Sequence, residues 1–94
     1  MVLKFNPATL TKIEKMIEEV GYILRYERGT FQSGYCVLEQ KKVVVLNKFL
    51  QIEGRINTLV DILPILTIEP SHLSPDNRKL YEDLIALQET EKDQ

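Results

Sequence analysis

The chain has 94 residues, 44% of them hydrophobic and 28% charged, with a net charge of −2. That length points to a single domain, 1–94, with a modest core. The balance excludes a disordered chain, and the charge provides no global field to recruit nucleic acid or an anionic membrane surface. The one cysteine, Cys36, excludes an intramolecular disulfide and fits a reducing compartment. The first residues, Met1 to Pro7, do not read as a signal peptide. The apolar run 59–66 is broken by Asp61 and Pro64 and is too short to span a bilayer. A cytoplasmic location without a membrane partner is the expectation.

Asn6-Pro7 is a strong helix start, a capping side chain followed by a proline preset for the first turn. Leu10, Ile13, Ile17 and Val20 then recur at helical spacing with Met16 beside them, and Gly21 ends the helix. Tyr22 to Arg28 alternates as a strand does. Gly29-Thr30 is a turn signal, Phe31 to Glu39 reads as a second strand, and Gln40-Lys41-Lys42 as a hairpin loop before Val43–Lys48. With such short connections, the three runs predict an antiparallel meander.

A second helix is predicted after a turn around Phe49–Ile52, with Ile52, Ile56, Leu59, Val60, Leu63 and Leu66 as its apolar stripe and Ile62 and Ile65 widening it. Pro64 should kink or end it. Residues 67–73 read as a loop. Ser74-Pro75-Asp76 starts a third helix, with Leu80, Leu84 and Leu87 as its stripe and Tyr81 and Ile85 beside it. Residues 90–94 are expected to fray. Residues 67–94 hold seven acids against three bases. That excess reads as a solvated acidic face, or as an element that meets a basic face or partner. The predicted fold is α+β, in the order α-β-β-β-α-α.

If Tyr22, Leu24, Cys36, Leu38, Val44 and Leu46 face the helices, the opposite face carries Ile23, Tyr35, Val37, Val43 and Val45. That second face is too apolar to be fully solvated. The third helix or another copy of the chain should cover it.

Candidate chemistry is sparse. Cys36 would need a base to act as a nucleophile. The one histidine, His72, lies in the 67–73 loop, so Cys36 reads as a small buried hydrophobe. One His and one Cys do not make a zinc site, and the acids lack a calcium-loop spacing, so no metal or cofactor is expected. Arg25, Arg28, Lys41, Lys42, Lys48 and Arg55, with Tyr22, Tyr26 and Tyr35, form a weak basic-aromatic pattern of the kind that binds nucleic acid. The topology is also that of double-stranded RNA-binding domains, without their basic helix start. Lys48, Glu53, Arg55, Asn57 and Asp61 form the one polar cluster beside the strand-helix junction, where Arg55 and Asn57 are placed to take a carboxylate or a partner's backbone. The alternative is that Glu53 and Arg55 fix the helix entry while Asn57 and Asp61 are solvated.

The strand, short loop and amphipathic helix over Val43–Leu66 resemble the scaffold of IrrE-type small metallopeptidases. In that resemblance the His-Glu-x-x-His motif falls on Asp61-Ile62-Leu63-Pro64-Ile65, which lacks both ligands and the general base, so it implies an inactive relative. A wider resemblance runs through Tyr26-Glu27-Arg28-Gly29, Gly34 to Glu39, Lys42 to Phe49 and Glu53 to Leu59. It is to a family of small uncharacterised bacterial proteins and implies no activity. The sequence therefore reads as a non-catalytic protein-binding or assembly module acting as a homodimer. A small-ligand protein or enzyme with a carboxylate/Arg site, or a weak nucleic-acid binder, are the alternatives.

Overall fold

The computed structural model describes residues 3–28 and 35–92. Asn6 caps α1 (Pro7–Glu19), its side-chain oxygen accepting from the Thr9 N–H at 2.9 Å, with Pro7 in the first turn. Leu10, Ile13, Met16 and Ile17 are its buried face. Gly21 then takes a φ of +95°, which a side chain would resist, and turns the chain into the sheet. The strands are β1 (Ile23–Glu27), β2 (Tyr35–Leu38) and β3 (Val43–Asn47), followed by α2 (Ile52–Ile62) and α3 (Pro75–Lys92). The expected α-β-β-β-α-α order holds, and the fold is α+β. The Gly29-Thr30 turn and positions 31–34 of the expected second strand lie outside the described residues, as do Asp93 and Gln94 of the expected frayed end.

The sheet is not an antiparallel meander. Its strand order is β1-β3-β2, with β1 parallel to β3 and β2 antiparallel to it. A parallel pair needs a crossover of a dozen or more residues. Each single connection here is too short, but residues 28–42 together are long enough. The crossover contains β2 itself, which leaves β1, reaches the far edge and returns through a 3₁₀ turn (Glu39–Lys41). Lys42 closes that turn in the left-handed region, at φ 53°.

The register corrects one strand's facing. Leu24 pairs with Val44, Tyr26 with Leu46, Val37 with Val44 and Tyr35 with Leu46. Cross-strand partners share a face, so Tyr35 and Val37 lie on the helix side and pack against the core, where Cys36 and Leu38 were expected. Every residue of Tyr-Cys-Val-Leu is apolar, so polarity could not set the phase. Cys36 is accordingly half-buried on the far face, not core filler.

α2 stops at Ile62, two residues before Pro64, and a tight turn carries Leu63 and Leu66 back into the core. Ile62 is fully buried, whereas Ile65, expected to widen the stripe, is 54% exposed, and Ile52, expected in the stripe, is exposed in the first turn of α2. The 67–73 connection contains a short 3₁₀ turn, Pro70–His72. Ser74 caps α3, its hydroxyl accepting from the Asn77 N–H at 3.4 Å. The α3 stripe runs through Leu80, Tyr81, Leu84 and Ile85, with Leu87 outside the core cluster. Buried Gln88 extends it and donates to the Asp61 carbonyl at 3.3 Å. α3 packs on α1 and α2 and contributes Leu84 to the helix-side core, so it does not cross the far face. Among the described residues no helix is long and apolar enough to cross a membrane.

Candidate functional site

The far face of the sheet is a small grid. Ile23, Val43 and Leu38 form its first row across β1, β3 and β2. Arg25, Val45 and Cys36 form the second, and Glu27 sits beside Asn47 in the third. None of these apolar residues belongs to the core cluster. Ile23 is 56% exposed and Leu38 46%, while Val45 at the centre is 8% exposed. The predicted association face thus keeps Ile23, Val43 and Val45, loses Tyr35 and Val37, and gains Cys36 and Leu38. On β1 the polar members pair with each other: the Arg25 guanidinium lies 2.7 Å from the Glu27 carboxylate, both half-exposed.

The polar cluster at the strand-helix junction divides. Glu53, Asn57 and Asp61 are four residues apart on α2 and form one solvated stripe. Arg55 points elsewhere. Its Nε donates to the Leu50 carbonyl at 2.9 Å, a terminal nitrogen donates to the Lys48 carbonyl at 2.8 Å, and its guanidinium lies 4.5 Å from the centre of the Tyr26 ring. Between the loop and α2, Arg55 meets Lys48, through its backbone carbonyl. Arg55 holds the loop between β3 and α2, which is the helix-entry alternative. Charge-assisted bonds of this kind are the strong ones.

The basic-aromatic pattern also separates. Lys41 and Lys42 precede β3, whereas Lys48 follows it, roughly 20 Å away at about 3.3 Å per residue. At the Lys48 end a residue that the sequence reading did not single out collects two cations. The Phe49 ring, 63% exposed, has the Lys48 ammonium 5.5 Å and the Arg28 guanidinium 5.9 Å from its centre. An aromatic placed directly after a lysine at a strand end was the available signal.

Two tyrosines and three acids join the elements. Tyr22, 2% exposed, donates its hydroxyl to Glu39 and accepts from the Thr67 N–H at 2.8 Å. It thereby ties the start of β1 to the hairpin turn and to the α2–α3 connection. Burial raises the Tyr22 pKa and Glu39 raises it further, while the same hydroxyl holds the Glu39 carboxyl below the usual carboxylate range. Tyr26 donates to Glu14 of α1, and burial pushes its phenol well above the ordinary tyrosine value. Glu19, the last residue of α1, accepts from the Ser74 N–H at 2.7 Å and from Asn77 Nδ2 at 3.1 Å. These bonds, the backbone one first, lower its pKa.

Cys36 lies on β2 and His72 in the Pro70–His72 turn, and neither belongs to the core cluster. Among the described residues no group of three His, Cys, Asp or Glu is placed to hold a metal ion. A hollow of about 350 Å³ is lined by Val37, Leu38, Glu39, Gln40 and Lys41, and another of about 480 Å³ lies between α1 and α3 against Lys12, Asp76, Asn77, Lys79, Leu80 and Asp83. Neither reaches Arg55. Comparison with protein-family models, curated proteins and solved structures finds no match for this chain.

Proposed function

We propose that this protein is a non-catalytic assembly module that acts as a homodimer through its sheet. The observation that carries the reading is β1. It is a lateral strand with apolar surface on both sides: Ile23 is 56% exposed on the far face, and Leu24 and Tyr26 are only half-buried on the helix face. Among the described residues no fourth strand lies along it. An open strand edge with apolar flanks is the kind of element that a second chain covers. Sedimentation equilibrium over a concentration series tests this. The expected result is a species of twice 10.9 kDa that dissociates on dilution. A constant monomer mass up to millimolar protein overturns the reading.

A second reading rests on Phe49. An exposed ring flanked by Arg28 and Lys48 is suited to stacking a base of single-stranded nucleic acid beside its phosphates. It requires salt-sensitive binding of a single-stranded oligonucleotide that is lost in Phe49→Ala. No binding at low salt removes it.

A further inference from the structure

The direction of the β1 hydrogen bonds sets how a second copy can dock. Ile23 N–H donates to the Lys42 carbonyl, and the Glu27 carbonyl accepts from Lys48 N–H. In a parallel pair, alternate residues turn their backbone groups toward the partner strand. Ile23, Arg25 and Glu27 therefore face β3 with their N–H and C=O groups, and those of Leu24 and Tyr26 point to the lateral edge. Two identical edges related by a two-fold axis must run antiparallel, because the contact is isologous. In an antiparallel pair, the residues whose groups point at each other form the hydrogen-bonded positions, and those between them face across without bonds.

Those two rules leave a few registers, and charge separates them. With the axis at Leu24, Arg25 stands opposite Ile23 of the second copy. With the axis at Arg25, two arginines face each other, which is unfavourable. With the axis at Tyr26, Tyr26 and its counterpart exchange both hydrogen bonds. Arg25 then faces Glu27 of the second copy, and Glu27 faces its Arg25. The pair that closes within one chain at 2.7 Å becomes two pairs across the axis, all four charges on the same far face. β2 offers no comparable selection, since Tyr35, Cys36, Val37 and Leu38 carry no charge.

Resting on the homodimer reading, we infer that two copies pair antiparallel along β1 with the two-fold axis at Tyr26, so that Arg25 and Glu27 form reciprocal ion pairs and the two sheets become one sheet of six strands. The residual exposure of Leu24 and Tyr26 is then covered from the side.

The test exchanges charges. Arg25→Glu places four acids around the axis and Glu27→Arg places four bases, so each variant alone should dissociate at least about tenfold more readily than wild type. The two variants mixed in equal amounts should form a heterodimer, because every acid then meets a base. The double variant R25E/E27R should dimerise within about threefold of wild type. Both side chains are about half-exposed, and far-UV circular dichroism checks that each variant is folded. Wild type that is monomeric at every concentration overturns the homodimer reading and this pairing together. Single variants that dimerise as wild type does, or a mixture that stays monomeric, overturn the pairing and leave the homodimer standing. As a readout that needs no substitution, the Leu24 and Tyr26 amides should gain hydrogen-exchange protection as concentration rises. Protection that does not change across the dimerisation range also overturns the pairing.

Discussion

Val44 and Leu46 point to the helix side of β3 and are fully buried, whereas Val43 and Val45, on the other side of the same strand, belong to no core cluster. From Val43 to Leu46 the two sides of β3 are written in nearly the same residues. What separates them is what packs there. The helix side receives Leu10, Ile13 and Ile17 from α1, Ile56 and Leu59 from α2, and Leu84 from α3. Among the described residues, the core cluster that the helices build includes no far-side residue, and that side is bounded by Arg25, Glu27 and Asn47. For β3, composition therefore reports that the strand is central and apolar, while its faces are assigned by the helices.

The largest effect that bears on this contrast is expected from Leu46→Ala. It deletes a fully buried side chain from the central strand and should cost about 2–5 kcal/mol. In a domain of this size that lowers Tm by roughly 10 °C or more. A loss no larger than that of Val43→Ala would mean that the two sides are energetically alike. Arg55→Ala comes next. It removes two bonds to the Lys48 and Leu50 carbonyls and the contact with Tyr26, and should cost about 1.5–3 kcal/mol in a urea titration. An unchanged midpoint would return Arg55 to the role of a free binding group.

The acid side of the stability profile is a third measure. Glu19 and Glu39 have pKa values lowered from 4.5 in the folded protein. A depressed carboxylate stabilises the fold above its unfolded pKa and loses that contribution as pH falls through the folded value. Tm should therefore be flat in these groups above about pH 5 and fall below pH 4.5, with a shallower fall in Glu19→Gln. The same acid slope in that variant would mean that Glu19 does not anchor α3. Cys36→Ser should have the smallest effect, under about 1 kcal/mol, since the residue is half-buried on the far side. A cost above about 2 kcal/mol would place Cys36 in the core after all.

The helices were legible in the chain because their ends are local. Asn6-Pro7 and Ser74-Pro75 carry their own capping chemistry, and Pro64 ends α2 wherever the rest of the fold goes. The inward phase of β1 was also legible, because Arg25 and Glu27 mark its wet side. β2 has no such marker, and Tyr35-Cys36-Val37-Leu38 reads equally well in either phase. Strand order was hidden for another reason: the β1–β3 pairing is a contact across residues 28–42, and no local pattern encodes which of two neighbours a strand will choose. At the candidate site, the residue types near the junction were visible. The direction of Arg55 was not, since its acceptors are backbone carbonyls that exist in position only after the loop has folded.

The strand at the centre of the sheet is the last of the three to be made. β1 and β2 are not neighbours, so within one chain each pairs with β3. As the chain leaves the ribosome, two apolar segments emerge and find no native partner in each other. A nascent chain ending before Val43 lacks the strand with which β1 and β2 pair. Synthesis of five residues, Val43–Asn47, then supplies both partners at once. Sheet formation in this protein is gated by one short stretch of translation, and until it appears the emerging strands are the part of the chain that a chaperone would hold.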